Sequence, residues 1–463
     1  MNEMQGDRMQ QTGMLTLEEL SGLVESGMID TVITAATDLQ GRLIGKRVHA
    51  PFFIEHAAAH GTHFCTYLLA TDMELDTPDG FQDQTWSSGY GDYLARPDWS
   101  TLRIIPWLEK TAMVLCDAVE EATGSEVDVA PRTLLKQQIA RAATLGYSIK
   151  MATELEFYLF RESYESAHAK GYEDLTRFGI HNEDYQLLQG TRAEPYYRRL
   201  RTELSAAGIP IEFTKGEASI AQHEINIHYA DALESADRAV LLKHGAKEIA
   251  MSDGLAVTFM AKPRPEWTGS SGHIHLSLWD KAGNAFPGAK ADEMSATMRH
   301  FLGGMLTHAS DLSILIASNV NSYKRFANAS WAPVHLVWGR DNRTCAFRVV
   351  GGGSALRIEN RLPGSDSNPY LAFAAVIAAG LDGIENAIEP PAIFRGNAYE
   401  ALQFPRIPRT LYEAIDCWDA SAMAKRAFGE KVHAHYLNMA RIEQYAFDQA
   451  VTNWERFRYF ERV

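Results

Sequence analysis

Three short segments of the chain combine an apolar face with a charged or polar face at the spacing of a β-strand. They are Met151–Phe160, Gly272–Leu278 and Leu356–Leu362, and successive side chains of a strand point to opposite faces of its sheet. The polar faces carry Glu154 and Glu156; His273, His275 and Ser277; and Arg357, Glu359 and Arg361. The pattern therefore predicts three strands that line the wall of one cavity.

The rest of the chain mixes helical and strand-like patterns, which predicts an α+β protein. Thr16 opens a capping box for a helix that ends at Gly27, and Pro131 starts a helix that ends at Gly146. Between these helices, short β-prone runs broken by Gly, Pro and Asp predict a sheet without a long helix. Further helical patterns cover Tyr196–Ala207, Ala232–Ser252, Glu293–Ala309, Pro369–Ala387 and Thr410–Val463.

The change of pattern near residue 121 predicts two folded domains. Residues 1–14 are polar and rich in Met and Gln, and we expect them to be disordered. Residues 15–120 are expected to form a small sheet-dominated domain. Residues 121–463 carry the three polar-faced strands, so we expect them to form the catalytic domain.

Composition and charge narrow the class of partners. The 463-residue chain has a formal net charge of −15, which argues against non-specific binding to nucleic acid or to an anionic membrane. Its four cysteines lie far apart without a C-x-x-C pair, a pattern typical of reduced thiols. The longest apolar stretch, Leu371–Leu381, is far shorter than the roughly 20 residues that span a bilayer. We therefore expect a cytoplasmic protein.

Six side chains form a set with the chemistry of a divalent-metal site. They are Glu154, Glu156, Glu217, Glu224, His273 and Glu359. Each glutamate alone would be read as a solvated surface residue, and the histidine alone as a core residue. Together, five carboxylates and one imidazole without a thiolate favour Mg²⁺ or Mn²⁺ over zinc. Two ions with three ligands each is the natural partition, and such pairs assist phosphoryl transfer.

Arginines cluster in the same part of the chain. They include Arg325, Arg340, Arg343, Arg348, Arg357 and Arg361. A guanidinium can grip a carboxylate or a phosphate with two hydrogen bonds, although any one of these residues could equally form a surface salt bridge. The chain has no P-loop and no G-x-G-x-x-G helix start. A nucleotide would therefore be bound through metal ions and arginines.

Short motifs, in their order and spacing, make the chain resemble the glutamine synthetase family over essentially its whole ordered length. They are Asn321–Arg325, Ala332–Pro333, Asp341–Arg343, Arg357–Arg361, Asn368–Leu371 and Gly380–Gly383. The resemblance implies an N-terminal β-grasp domain, and a catalytic domain whose antiparallel sheet forms an active-site funnel. It implies a homo-oligomeric ring, usually a dodecamer, with active sites between subunits. It also implies ATP-driven formation of γ-glutamyl phosphate from L-glutamate, followed by attack of an amine.

The same resemblance implies a role for each matching residue. One metal would be held by Glu156, Glu217 and Glu224, and the other by Glu154, His273 and Glu359. Glutamate would be held by Gly269, Arg325 and Arg361. The transferring phosphoryl group would be stabilised by Arg343 and Arg348, and ATP would be contacted by His275, Ser277, Arg348 and Arg357.

The chain departs from the family at the position that handles ammonia. Ammonia-using members carry a glutamate immediately before the Ala-Pro motif, whereas this chain has Trp331. An indole offers an apolar face, one N–H donor and a cation–π attraction, and it cannot take a proton from ammonium. The family's ammonium-binding aspartate has no clear counterpart in the segment 71–89, and Asp92 matches a second acidic position nearby.

These departures favour an organic amine as the acceptor. The segments Gly41–Arg47 and Val451–Arg456 resemble the branch that makes γ-glutamylamides of polyamines, alkylamines and anilines. Trp331 favours a hydrophobic or aromatic amine such as aniline, or an alkylamine. A purely structural role, in which Trp331 packs in a closed flap, is nearly as well supported. Three alternatives stay open: a polyamine ligase that uses Asp72, Glu74, Asp76 and Asp79, an ammonia-using glutamine synthetase, and a catalytically silent ring scaffold.

Overall fold

The first part of the chain folds into a mixed sheet. The computed structural model describes residues 12–290 and 293–463. Its first sheet contains β1 (Thr31–Thr37), β2 (Leu43–His49), β3 (Thr62–Cys65), β4 (Asp92–Pro97), β5 (Arg103–Ile104) and β6 (Thr111–Val119). The strand order is β2-β1-β6-β4-β3, with β5 also paired to β6. β1 and β6 run parallel, and the other pairs are antiparallel.

Two expectations for this part need comment. We expected no long helix before Pro131, but Ala50–Phe52, Phe53–Ala57 and Ala58–His60 form one continuous helical segment with a π-helical centre. Ala50, Phe53 and Ala57 are buried, and this helical spacing of small and aromatic residues is hidden among β-prone runs. The expected disorder of residues 1–14 lies largely outside the described residues, although the Ile104 amide donates to the Gly13 carbonyl oxygen at 2.8 Å.

The second sheet contains the three polar-faced strands. Its members are β7 (Ser148–Phe160), β8 (Ile211–Gly216), β9 (Gln222–Ile227), β10 (Ala230–Asp231), β11 (Ala256–Thr258), β12 (Gly272–Asp280), β13 (Gly283–Asn284), β14 (Trp338–Arg340), β15 (Phe347–Val350) and β16 (Arg357–Asn360). The main order is β14-β15-β16-β12-β7-β9-β8. The sheet is antiparallel as expected, apart from the parallel pair of β14 and β15.

Helices cover the second sheet and connect its strands. The α-helices longer than four residues are Leu17–Glu25, Pro131–Thr144, Tyr164–Ala169, Leu187–Ala206, Ala232–Ser252, Ala296–His308, Pro369–Glu385, Leu411–Ala420, Ala422–Phe428, Glu430–Gln449 and Asn453–Tyr459. The Thr16 capping box is confirmed, since Thr16 Oγ1 accepts from the Glu19 amide and Glu19 accepts from the Thr16 amide. Among the described residues, no helix is long and apolar enough to cross a membrane.

The centre of the main core is the helix Pro369–Glu385. Every residue from Pro369 to Gly383 is buried, because the helix packs against Ala296–His308 on one side and Pro131–Thr144 on another. The close approach to Ala296–His308 depends on glycine: a Cβ on Gly304 would lie 2.1 Å from the Ala379 carbonyl oxygen. The Asn368 side chain caps this helix and also donates to the Leu39 carbonyl oxygen at 3.1 Å. The core helix therefore contacts the first part of the chain directly.

A buried arginine also joins the two parts of the chain. Arg132 donates to Asp98 at 2.7 Å and Asp117 at 2.6 Å on the first-sheet side, and to Asp237 at 2.9 and 3.0 Å on the helix Ala232–Ser252. Tyr370 adds a hydrogen bond to Asp237 at 2.6 Å. We propose a domain boundary near residue 120 because the first sheet ends at Val119 and the second begins at Ser148.

Replacement of Arg132 by methionine should destabilise the protein strongly. The change leaves three carboxylates without their shared guanidinium, and removal of one partner of a buried ion pair costs about 3–5 kcal/mol. Urea unfolding monitored by circular dichroism measures the loss. The matched control is Lys136→Met, which removes a 29% exposed cation that also pairs with Asp117, and it should cost about 0–1 kcal/mol. Equal losses in the two variants would contradict the assignment.

Candidate active site

Strand register places Glu156, Glu224 and Lys215 in one row across the sheet. Glu156 on β7 lies directly opposite Glu224 on β9, and Glu224 lies opposite Lys215 on β8. Opposite residues of neighbouring strands have Cβ atoms about 5 Å apart, so their side chains interact. Glu217 follows β8 in the turn to β9, where its amide donates to the Gln222 carbonyl oxygen at 2.8 Å. The hairpin formed by β8 and β9 therefore brings Glu217 and Glu224 to the same site.

A second row is built by β7, β12, β16 and β15. His273 lies opposite Glu154, and Glu359 lies between His275 on one neighbouring strand and Arg348 on the other. His273 Nδ1 lies 3.2 Å from Glu154 Oε2 and 3.6 Å from Glu359 Oε1. The three polar-faced strands therefore do meet at one site.

The two rows reproduce the partition of metal ligands that the resemblance implied. Glu156, Glu217 and Glu224 form one group, and Glu154, His273 and Glu359 form the other. Within each group, one potential ligand atom from every residue lies within 4.8 Å of the others. Residues that are far apart in sequence are brought together because the strand order differs from the chain order.

The first group carries more negative charge than its surroundings compensate. Burial and the neighbouring Glu217 raise the pKa of Glu156 to about 8. Burial and Glu154 likewise raise the pKa of Glu224 to about 9. Burial acts in the same direction on Glu217, but the ion pair with Lys215 outweighs it and holds the pKa of Glu217 below its ordinary value. Lys215 therefore pairs with two of the three carboxylates, Glu217 and Glu224, while Glu156 accepts from the Gln222 side chain and the Ser271 amide.

The second group is better compensated. Burial acts to raise the pKa of Glu359, but His273 and Arg361 outweigh it and lower the pKa to about 2. Arg348 Nη1 donates to Glu359 Oε2 at 2.8 Å, and Arg361 donates to Glu359 Oε1. Hydrogen bonds from His273 and His275 overcome the effect of burial on Glu154 and hold its pKa low. These carboxylates stay ionised and accept hydrogen bonds.

The residues of both groups suit divalent ions. Their donors are five carboxylates and one imidazole, the set that Mg²⁺ and Mn²⁺ accept. In the first group, burial and the neighbouring carboxylates together raise the pKa values of Glu156 and Glu224, and a dication would stabilise their ionised forms. In the second group, His273 Nε2 is buried and has no partner among the described residues.

A cavity of about 790 Å³ opens over both groups. Of the residues chosen from the sequence, its lining includes Glu154, Glu156, Glu217, Glu224, Gly269, His273, His275, Trp331, Arg343, Arg348, Arg357 and Arg361. Trp331 is 56% exposed and has a left-handed φ of 63°, as does Ala329 at 55°. The Trp331 carbonyl oxygen accepts from Arg361 Nη2 at 3.4 Å. Trp331 therefore belongs to a strained flap at the mouth of the cavity.

A smaller cavity of about 390 Å³ shares Glu154, His275 and Arg357 with the larger one. Ser277 lines this smaller cavity together with Trp279, whose indole N–H donates to Ser277 Oγ at 2.9 Å. Arg357 Nε donates to His275 Nδ1 at 3.2 Å, so His275 Nε2 carries the proton that it donates to Glu154 at 2.9 Å. Three of the residues assigned to ATP by resemblance, His275, Ser277 and Arg357, thus line the smaller cavity, while Arg348 lines the larger one.

Three of the chosen residues line neither cavity. Arg325 is 1% exposed, lies behind the cavity and donates to Ser271 Oγ at 3.2 Å and to the Leu362 carbonyl oxygen. Asp92 lies on β4 of the first sheet, is exposed and does not line this chain's cavity. Glu359 lies fully buried beneath the cavity floor.

Four charged or aromatic residues of the cavity were not predicted from the sequence. They are Asp184, Tyr185, Phe213 and Lys215. Lys215 stands two residues before Glu217, so strand periodicity carried a signal for it. Asp184 and Tyr185 lie between helices in a segment without periodicity, and the sequence held no comparable signal for them.

Comparison with known proteins agrees with this geometry. Residues 128–459 match the family described as glutamine synthetase, catalytic domain. The gamma-glutamylethanolamide synthetase GlnA4 of Streptomyces coelicolor is 50% identical over 450 residues, covering 97% of this chain and 96% of that protein. The glutamate–isopropylamine ligase of a Pseudomonas species is 40% identical over 451 residues, covering 95% and 97%. A structure of GmaS with ADP has a TM-score of 0.83 at 30% identity and covers 96% and 99%.

The chain therefore belongs to the glutamine synthetase family and has the glutamine synthetase fold. Within the family, it belongs with the relatives that make γ-glutamylamides. The enzyme class expected from the sequence, an ATP-dependent carboxylate–amine ligase, is confirmed.

Replacement of Lys215 by methionine should tighten binding of a divalent ion at the first group. The Lys215 ammonium contacts Glu217 and lies 3.8 Å from Glu224, so it competes with a metal ion for the same oxygens. We expect Mn²⁺ affinity to rise about tenfold, a free-energy change of roughly 1.4 kcal/mol, in isothermal titration calorimetry without nucleotide. The melting temperature of the metal-free variant should fall, because carboxylate repulsion is then uncompensated.

Two variants control this experiment. Lys215→Arg keeps the positive charge and should leave the Mn²⁺ affinity near that of the wild type. Lys150→Met removes a cation that pairs with the 64% exposed Asp231 and should change nothing. Weaker Mn²⁺ binding in Lys215→Met would show that the lysine assists the ion.

Proposed function

We propose that this enzyme joins the γ-carboxylate of L-glutamate to a small organic amine, with ATP as the energy source and γ-glutamyl phosphate as the intermediate. The observation that carries the proposal is the pair of buried ligand groups at the floor of one arginine-lined cavity. Two relatives over nearly the full length are named for ethanolamide and isopropylamine products or substrates. Small alkylamines, including hydroxylated ones, are therefore the leading acceptors, and aniline remains a candidate.

In the first step, the glutamate γ-carboxylate attacks the γ-phosphorus of ATP, and the bond to the ADP oxygen breaks. We assign ATP to the smaller cavity, with its phosphates toward His275 and Arg357, because these two residues line both cavities. Arg343 and Arg348 line the larger cavity and are placed to neutralise charge on the transferring group. Mg²⁺ or Mn²⁺ bound by the two groups would neutralise the carboxylates and the phosphate oxygens.

We assign L-glutamate to the larger cavity near Gly269 and Arg361. A Cβ on Gly269 would lie 2.4 Å from Arg325 Cγ, so glycine lets the backbone lie against the buried arginine. Arg361 has a buried Nε without a partner among the described residues, which leaves one donor for a substrate carboxylate. Arg325 would act on glutamate only after leaving the Leu362 carbonyl oxygen, or it would act by holding Ser271.

In the second step, the amine nitrogen attacks the acyl carbon, phosphate leaves, and the nitrogen loses a proton. An alkylamine resembles a lysine side chain, with a pKa of about 10.4, and must lose a proton before attack. Trp331 offers it no base, whereas Asp184 places a carboxylate in the same cavity. Tyr185, Phe213 and Trp331 provide apolar surface for the carbon part of the amine. This combination favours a small amine over ammonium.

The alternatives are less well supported. For a polyamine, Asp72, Glu74, Asp76 and Asp79 would have to meet the distal ammonium from a neighbouring subunit, since none of them lines the large cavity of this chain, and the two relatives reported above are named for small amines. For ammonia, the glutamate of the flap is absent. For a silent scaffold, both ligand groups would have to persist without an ion, although Glu156 and Glu224 crowd like charges there.

We also propose a ring-shaped homo-oligomer in the cytoplasm. Asp92 lies away from the cavity of its own chain, which supports a site completed by a neighbouring subunit. The helix Asn453–Tyr459 and the residues after it expose Trp454, Phe457 and Phe460 at 62%, 86% and 90%, and such apolar patches are typical of protein interfaces.

Amine-dependent phosphate release tests the proposed reaction. Purified enzyme is incubated with ATP, L-glutamate and Mg²⁺ or Mn²⁺, together with ammonium, ethanolamine, isopropylamine, putrescine or aniline. We expect release with ethanolamine or isopropylamine at a kcat/KM at least about tenfold above that for ammonium. A preference for ammonium would support ordinary glutamine synthesis, and silence with every amine would support the scaffold.

Replacement of Trp331 by glutamate should shift this preference toward ammonium. The new carboxylate supplies the charge and the base that the indole lacks, so the ratio of kcat/KM for ammonium to that for the organic amine should rise about tenfold. The control is Trp331→Gln, which has nearly the same shape as the glutamate variant without its charge. If the two variants show the same ratio, charge at this position does not select the amine, and Trp331 only packs the flap.

A further inference from the structure

A buried glutamine joins the first ligand group to the loop that carries Gly269. Gln222 is 0% exposed and lines neither cavity of the active site. Its Nε2 atom donates to Glu156 Oε2 at 3.1 Å and to the Gly269 carbonyl oxygen at 3.0 Å. A single side-chain amide therefore connects a metal-ligand candidate with the place assigned to L-glutamate.

The two partners fix the orientation of the Gln222 amide. Exchange of its nitrogen and oxygen would set the oxygen against the Gly269 carbonyl oxygen, which carries no proton. Gln222 Oε1 has no partner among the described residues, and a buried oxygen without a partner costs stability. The two donated hydrogen bonds are therefore what this glutamine supplies that an apolar side chain of the same length would not.

The main chain of Gln222 holds a second ligand of the same group. The Glu217 amide donates to the Gln222 carbonyl oxygen at 2.8 Å, and the Gln222 amide donates to the Ser219 carbonyl oxygen at 3.0 Å. Glu224 follows two residues later on β9, so its side chain shares a strand face with that of Gln222. Gln222 thus contacts or adjoins all three carboxylates of the first group.

The loop around Gly269 has two further attachments to β7. The Ser271 amide donates to Glu156 Oε2 at 2.8 Å, the same oxygen that accepts from Gln222. The Tyr158 hydroxyl donates to the Thr268 carbonyl oxygen at 2.7 Å. The loop is therefore tied to Glu156 at Gly269 and at Ser271, while the bond from Tyr158 holds the loop without involving a ligand of the first group.

We propose that Gln222 is a positioning residue that couples ion occupancy of the first ligand group to the binding of L-glutamate. The inference rests on the proposed function, which places L-glutamate near Gly269. Once Glu156 is fixed by a bound ion, the shared Gln222 amide fixes the Gly269 carbonyl group, so the substrate loop is ordered. The coupling is reciprocal, because L-glutamate that orders this loop also favours the ion.

Isothermal titration calorimetry on the full chain without ATP measures the coupling. Mn²⁺ is titrated into the enzyme with and without saturating L-glutamate, and chelation of Mn²⁺ by L-glutamate is measured without enzyme and subtracted. We expect L-glutamate to raise the Mn²⁺ affinity of the wild type at least about fivefold. A separate titration of L-glutamate in the presence of Mn²⁺ shows that the amino acid binds.

Replacement of Gln222 by methionine should remove the coupling. The change keeps the length of the side chain and removes both donated bonds, while all three carboxylates remain. We expect Mn²⁺ still to bind, but L-glutamate should change its affinity by less than about twofold. A side chain that only stabilised the fold would lower the melting temperature and leave the coupling factor unchanged, and that result would overturn the proposal.

The matched control is Tyr158→Phe. Tyr158 lies directly opposite Gln222 on β7, and the change removes one donor to the same loop but no bond to Glu156. We expect weaker L-glutamate binding by the same factor with and without Mn²⁺, so the coupling factor should match that of the wild type. Equal loss of coupling in Tyr158→Phe and Gln222→Met would overturn the assignment to Gln222.

The outcomes for the wild type separate this inference from the proposed function. If L-glutamate does not bind at all, both fail, whereas binding without any effect on Mn²⁺ affinity overturns the coupling alone. Hydrogen–deuterium exchange of the wild type adds a readout that does not depend on the folding of a variant. Mn²⁺ without L-glutamate should slow exchange in residues 268–271, and unchanged exchange there would overturn the coupling.

Discussion

The active site is constrained above all by the electrostatic cost of holding five carboxylates on one face of a sheet. Two unit charges 4 Å apart interact by about 4 kcal/mol at an effective dielectric constant of 20, so several such contacts would rival the total stability of a domain. Antiparallel pairing places Glu156 opposite Glu224, and the register leaves no freedom to separate them. The cations near the site offset the repulsion among these carboxylates.

The two ligand groups meet the constraint in different ways. Glu359 and Glu154 are surrounded by His273, Arg361 and Arg348, so their charges persist without a metal. In the first group, Lys215 pairs with Glu217 and Glu224, Glu156 accepts from the Gln222 side chain and the Ser271 amide, and the pKa values of Glu156 and Glu224 are raised. The first group therefore has more to gain from a divalent ion, while the second is organised before an ion arrives. Because of this difference between the two groups, the two ions would bind in a defined order.

Buried charges are also paired in the part of the structure that supports the site. Arg132 gathers Asp98, Asp117 and Asp237 where the first sheet meets the catalytic helices. The helix Pro369–Glu385 passes through the core as an almost entirely apolar rod. Buried polar groups are concentrated at a few contacts between the two parts of the chain.

Much of this protein was determined locally and was therefore readable from the sequence. The alternation in Met151–Phe160 and Gly272–Leu278 predicted strands and showed which side chains share a face. The capping residue Thr16 and the prolines at 131 and 369 marked helix starts, because each satisfies or removes an amide that has no partner at a helix start. The six ligand candidates came from residue chemistry together with this local geometry, and their partition came from family resemblance.

Only the tertiary structure decided which residues meet across the sheet and what surrounds them. The pairing of Glu224 with Lys215 depends on a hairpin register, and the arrival of Asp184 and Tyr185 in the cavity depends on the path of a loop without periodicity. The position of Arg325 behind the cavity likewise depends on packing among Ser271, Gly269 and Leu362. Local patterns record the direction of a side chain relative to its own strand, whereas its partners are chosen by contacts between segments that lie far apart in the chain.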